Sequence, residues 1–94
     1  MKIEGIIWLK DILDKIEAKH SVQQSEVEEI FKNVPKIQFC EKGKIKGENL
    51  YVARGQTDSG RYLAVFFILK KTREALIVSA RDMDKAERRS YAKK

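Results

Sequence analysis

The sequence predicts an α+β fold: two N-terminal helices, a four-stranded antiparallel β-meander and a C-terminal helix. Three observations carry that prediction. Apolar residues recur at helical spacing between Leu9 and Val34; from Lys36 to Ala80 they fall into strand-length runs divided by short turns; and Asp84 stands three residues before Glu87 at the start of a basic tail. Ninety-four residues suffice for one core and not for two, so a single domain over residues 1–94 is expected.

Leu9, Ile12, Leu13, Ile16 and His20 form the first stripe, with Lys10, Asp11, Asp14, Lys15 and Glu17 on the opposite side. Trp8 stands at its start as a structural anchor, and His20-Ser21-Val22 opens a loop. Val27, Ile30, Phe31 and Val34 make the second stripe. Glu26, Glu28 and Glu29 lie in its first turns, where the helix dipole favours them, and Pro35 stops it. The two helices should form an antiparallel hairpin that needs another surface to cover its apolar side.

The rest of the chain supplies that surface. Lys36 to Cys40 alternates as a short edge strand, and Glu41 to Glu48, with Gly43, Gly47 and three lysines, reads as a mobile hairpin tip. Asn49 to Gly55 is a second strand, followed by a turn at Thr57 to Gly60. Arg61 to Leu69 is apolar on both parities, as expected of a central strand covered on both faces. Lys70 to Glu74 is a charged turn, and Ala75 to Ala80 is the last strand. Asp84 and Glu87 fit a reciprocal capping pattern, so the final helix starts at Lys85 and Arg81 falls in the connection before it, on the strand parity of Ile77 and Ser79.

Charge is placed unevenly. The chain carries +6 in total; residues 1–34 hold five Lys/Arg against seven Asp/Glu, residues 35–59 five against three, and residues 60–94 ten against four. A basic C-terminal surface points to a polyanion, either nucleic acid or an acidic protein, against the alternative of a plainly solvated face. Cys40 is the lone cysteine, which excludes an internal disulfide framework and a Cys/His metal cluster. The apolar runs at Ile6 to Leu9 and Leu63 to Leu69 are too short for a signal peptide or a membrane span, so the cytoplasm is the expected compartment and no membrane partner is expected. A glycine-rich phosphate loop and zinc spacings are absent, and neither a cofactor nor a metal is expected.

Several segments, in order over nearly the whole chain, resemble the BrnT-like toxins of bacterial type II toxin–antitoxin systems. They are Trp8; Lys19, His20 and Val22; Glu26 to Glu29 with Phe31; Gly55 to Leu63; Ser79 to Met83; and Glu87 to Tyr91. The resemblance implies a RelE-like fold and a small ribonuclease that cuts RNA to inhibit translation and growth. It also implies a cognate protein antitoxin, BrnA-like and DNA-binding, that covers the basic surface in a hetero-oligomer. The family commonly has glycine after Lys-His, where this chain has Ser21.

Metal-independent RNA cleavage uses the ribose 2′-OH as nucleophile, so it needs groups that take a proton, give a proton and meet charge on phosphorus. His20, the sole histidine, suits acid–base work, although at the end of an apolar stripe it also reads as a structural residue. Arg61, Arg81 and Arg89 are the candidates for binding phosphate and stabilising the transition state, with a structural ion pair as the alternative for Arg81. Tyr91 can stack on a base, donate a proton or pack on the sheet; Lys19, Lys70, Lys71 and Arg88 are candidate backbone-phosphate contacts. The competing reading is a non-catalytic nucleic-acid-binding or regulatory protein that kept the fold and lost the activity.

Overall fold

The computed structural model describes residues 1–93. The elements are β1 (Gly5–Ile7), α1 (Lys10–His20), α2 (Gln24–Lys32), β2 (Lys36–Glu41), β3 (Leu50–Gln56), β4 (Tyr62–Leu69), β5 (Glu74–Asp82) and α3 (Lys85–Ala92). The class is α+β with three helices, as the sequence predicts. The sheet is five-stranded and mixed, in the order β1-β5-β4-β3-β2. This corrects the expected four-stranded antiparallel meander: β2 to β5 are antiparallel, and β1 adds a parallel edge beside β5, Gly5 opposite Glu74 and Ile7 opposite Leu76. Three residues are too few to display a period of two, and β1 finds its partner only some seventy positions later, so local pattern cannot reveal it.

α1 and α2 cover one face of the sheet. Ile16, Val22, Val27 and Ile30 pack on Ala53, Leu63, Val65, Phe67, Ala75, Ile77 and Ala80, all fully buried. Phe31 meets Phe67 edge-on at 5.3 Å, and Tyr51 stacks on the same ring at 5.8 Å. α1 ends as a Schellman motif: Ser21 is left-handed at φ 53°, its N–H donates to Glu17, and the N–H of Val22 donates to Ile16. Serine adopts this left-handed conformation at some cost relative to glycine. α2 ends earlier than its stripe suggests. Val34 is left-handed and 85% exposed, outside the helix, because Pro35 disfavours right-handed helical geometry at the residue before it.

The opposite face is covered only at its ends. α3 lies over one end, where Val52, Ala64 and Met83 are buried and Tyr62, Phe66 and Tyr91 pack around them. At the other end the loop after β2 borders, with Leu50, Ile68 and Leu76, a half-open cavity of about 540 Å³. That loop is tied rather than loose: Glu48 is buried against Lys70 (2.8 Å), and the N–H of Gly43 donates to the side chain of Asn49. Phe66 lies between the two covers, half-buried, so β4 is enclosed on its helical face and only in part on the other.

A bulge decides which face receives the candidate arginine. Phe66 pairs with Ser79 but Phe67 pairs with Ile77, leaving Val78 as an extra residue in β5. Before the bulge Ala75 and Ile77 point into the helix-covered core; after it Ala80 does, and Arg81 pairs with Ala64 on the open face. Arg81 therefore shares a face with Ser79 but not with Ile77, and β5 continues through Asp82, so Arg81 lies in the strand rather than in the connection.

Candidate active site

Glu87 is the centre of a polar cluster on the open face. As the third residue of α3 it accepts from the N–H of Asp84 (3.0 Å), while Asp84 accepts from the N–H of Glu87 (2.7 Å), so the capping pair read in the sequence is formed. The same carboxylate receives two arginines. Arg81 donates through both Nη1 and Nη2, and Arg54, from β3, donates through Nε at 3.1 Å. Nη1 of Arg54 also donates to Gln38 of β2 (2.9 Å), and Nη1 of Arg81 to the carbonyl of Asp82. Register explains the convergence: Lys36, Arg54, Ala64 and Arg81 form one row across β2 to β5, and the small Ala64 leaves room between the arginines.

The electrostatics follow from this geometry. The hydrogen bonds from Arg81, with those from the Asp84 N–H and Arg54, hold the Glu87 carboxyl at about 2 against the opposing effect of its burial. Such a carboxylate is a poor proton acceptor at neutral pH; its effect is to fix two guanidiniums in one place. The Arg81 guanidinium is in turn held more firmly protonated by Glu87. Among the described residues, Nε of Arg81 and Nη2 of Arg54 have no hydrogen-bond acceptor, so donors remain for an anion.

Arg61 is placed differently. Its five N–H groups are all engaged: two with Asp82 (2.7 and 3.1 Å), two with the carbonyls of Ser21 (2.8 Å) and His20 (2.9 Å), and one with Glu26 (3.1 and 3.2 Å to its two oxygens). Asp82 is held below the usual carboxylate range chiefly by this arginine, whose own proton is bound more tightly in return. Asp82 pairs with Leu63, so this network belongs to the helix-covered side and Arg81 to the other. The sheet separates His20, Lys19 and Arg61 from Arg81, since Arg81 and Asp82 are neighbours in β5 and strand alternation sends them to opposite faces.

The other candidates divide by position. Tyr91 meets Tyr62 edge-on at 6.0 Å, Arg88 lies 4.4 Å over the ring of Tyr62, and Lys36 lies 5.0 Å over the ring of Tyr91. Lys36 also donates to the carbonyls of Tyr91 (2.7 Å) and Lys93 (3.2 Å), closing the C-terminal end of α3. A crevice of about 320 Å³ between β2 and α3 is lined by Lys36, Gln38, Arg54, Ser90 and Tyr91. Arg89 is exposed on α3. Lys70 and Lys71 follow β4 at its far end, about 20 Å along the strand from the row of Arg81, and Lys70 is paired with Glu48.

A family model described as "Ribonuclease toxin, BrnT, of type II toxin-antitoxin system" matches residues 12–87. The chain belongs to the BrnT family. The crystal structure of the Brucella abortus ribonuclease toxin BrnT is similar in fold, with a TM-score of 0.62, 19% sequence identity, and coverage of 89% of this chain and all of that one. No curated protein matches by sequence. The BrnT match includes His20, Arg54, Arg61, Arg81 and Glu87, and stops before Arg88, Arg89 and Tyr91. Arg54 is the residue that sequence reasoning missed, together with the second role of Glu87. The available signal was a lone arginine flanked by Ala53 and Gly55 in a strand, on the parity of Val52.

Proposed function

We propose that this BrnT-family protein is an endoribonuclease toxin that cleaves RNA through the ribose 2′-OH without a metal ion, binding the scissile phosphodiester at Arg54 and Arg81. One observation carries the reading: two guanidiniums from one row of an open sheet face are fixed by a single carboxylate, with N–H groups still unengaged. In the reaction the 2′-OH gives its proton to solvent water, its oxygen attacks phosphorus, the P–O5′ bond breaks, and negative charge grows on the non-bridging oxygens. Preorganised donors aimed at that charge lower the barrier, each by about 3 kcal/mol by analogy with oxyanion-site donors. Tyr91, in the crevice beside Arg54, is the group assigned to protonate the leaving 5′-oxygen. Arg88 and the exposed Arg89 extend the cationic surface along α3.

His20 and Arg61 take a positioning role in this reading. Arg61 fixes the carbonyls of His20 and Ser21, which shapes the end of α1 on the other side of the sheet. In the cell, which we take to be the cytoplasm of a bacterium, a cognate BrnA-like antitoxin with a DNA-binding segment would cover the open basic face and block RNA.

The test is a cleavage assay of partner-free protein on total RNA in excess chelator, comparing wild type with Arg81→Ala, Arg54→Ala and His20→Ala. Fragments ending in 2′,3′-cyclic phosphate, lost in both arginine variants and kept in His20→Ala, are expected. Activity that survives both arginine substitutions but disappears with His20 would move the chemistry to the other face. Intact RNA from a folded wild type would leave a binding or regulatory role.

A further inference from the structure

We infer that the open face takes RNA as a single strand running along β4, with one unpaired base against the Phe66–Arg81 pair and the next in the cavity under the loop between β2 and β3. This rests on the reading of Arg54 and Arg81 as the phosphate site and names the form of RNA that the site accepts.

Three successive rows of the face supply the argument. The first is the cationic row of Lys36, Arg54 and Arg81. The second, two residues further along the strands and so roughly 7 Å away, is Gln38, Val52, Phe66 and Ser79. Phe66 is a half-buried aromatic ring on a central strand at the margin of the cluster under α3, and the Arg81 guanidinium lies 5.3 Å from its centroid. The third row is Leu50, Ile68 and Leu76, the apolar part of the 540 Å³ cavity, which Ile45 helps to line; Lys42 and Lys44 line it too, together with Glu41 and the Glu48–Lys70 pair. Phosphate-binding cations, an aromatic ring and a largely apolar cavity therefore follow one another at about the spacing of phosphate and base along an extended strand. Bases stack on aromatic and guanidinium planes only when they are unpaired, because a duplex buries those planes in its own stack. The cavity is half open to solvent, and its volume admits a base. The bulge at Val78 adds to this arrangement, since it puts Ser79 and Arg81 on the face of Phe66.

The experiment measures binding of a fluorescent 2′-O-methyl RNA, which cannot be cleaved, as a single strand and as the same sequence in a duplex at one salt concentration. Wild type, Phe66→Leu, Ile45→Ser and Arg81→Ala are compared, each checked by thermal melting. The expected result is at least tenfold preference for the single strand, a loss of about tenfold in Phe66→Leu that removes the preference, and a smaller loss in Ile45→Ser. Arg81→Ala weakens both forms. If Arg81→Ala weakens binding while Phe66→Leu and wild type bind the single strand equally, the phenyl ring belongs to a protein partner and this inference fails alone. If Arg81→Ala binds as wild type does, the phosphate site itself is wrong. A folded Phe66→Tyr variant that keeps the preference separates loss of the ring from loss of packing.

Discussion

Replacing Glu87 with glutamine keeps the shape of the side chain and an acceptor for the Asp84 N–H, and removes the charge that Arg54 and Arg81 share. The carboxyl is held at about 2 instead of its ordinary 4.5. Each pH unit of such a difference is worth about 1.4 kcal/mol, so the charge contributes on the order of 3 kcal/mol at neutral pH. Only 12% of the side chain is exposed, so solvent screens little of this. Because the folded value lies below the unfolded one, the contribution is complete above about pH 5 and is lost as the pH falls toward 2. Urea unfolding at a series of pH values from 7 to 3 reads it directly. Glu87→Gln should be less stable than wild type by about 3 kcal/mol at pH 7, a large share of the 5–15 kcal/mol typical of a domain, and the gap should hold down to about pH 5 and shrink below it. Equal stability at pH 7, or a gap unchanged at pH 3, would refute the picture of one carboxylate clamping two guanidiniums.

Arg61→Met should cost about 2–4 kcal/mol, since it strands Glu26, Asp82 and two carbonyls beside an arginine that is only 25% exposed; the midpoint of chemical unfolding measures it. Ser21→Gly should stabilise by about 0.5 kcal/mol and raise the melting temperature by roughly 2–4 °C, because glycine adopts the left-handed conformation without penalty. No rise would mean that the Schellman turn carries no strain. At Gly43 a Cβ would sit 1.8 Å from the carbonyl oxygen of Glu48, so Gly43→Ala must move the loop. Faster amide exchange at Glu48, whose N–H donates to the carbonyl of Ile45, is the expected sign, and unchanged protection would count against the packed loop.

Much of what depends on near neighbours was legible in the chain, although Leu9 and Val34, read as the ends of the two helical stripes, lie outside the helices and are exposed. Ile12, Leu13, Ile16, Val27 and Ile30 repeat at the helical period and do face the core; Asp84 and Glu87 do cap α3; the runs from Lys36 to Ala80 are strands in the expected antiparallel order. These features follow from the geometry of one helix turn or one pleat, which a few consecutive residues specify. The family resemblance was legible for a different reason, through ordered motifs across most of the chain.

Tertiary structure decided the rest, because pairing between distant segments leaves no mark in either segment alone. β1 became a strand only by meeting β5. Val78 became a bulge only because Phe66 and Phe67 pair with Ser79 and Ile77, and that single extra residue reversed the face of Arg81. Arg61, a plausible phosphate ligand in sequence, was consumed by Asp82, Glu26 and the end of α1, while Arg54 joined Arg81 at Glu87. The sequence by itself determined the class of elements and the kind of charged groups available; which arginines share a face was settled by register, since shifting a strand by one residue exchanges its two sides.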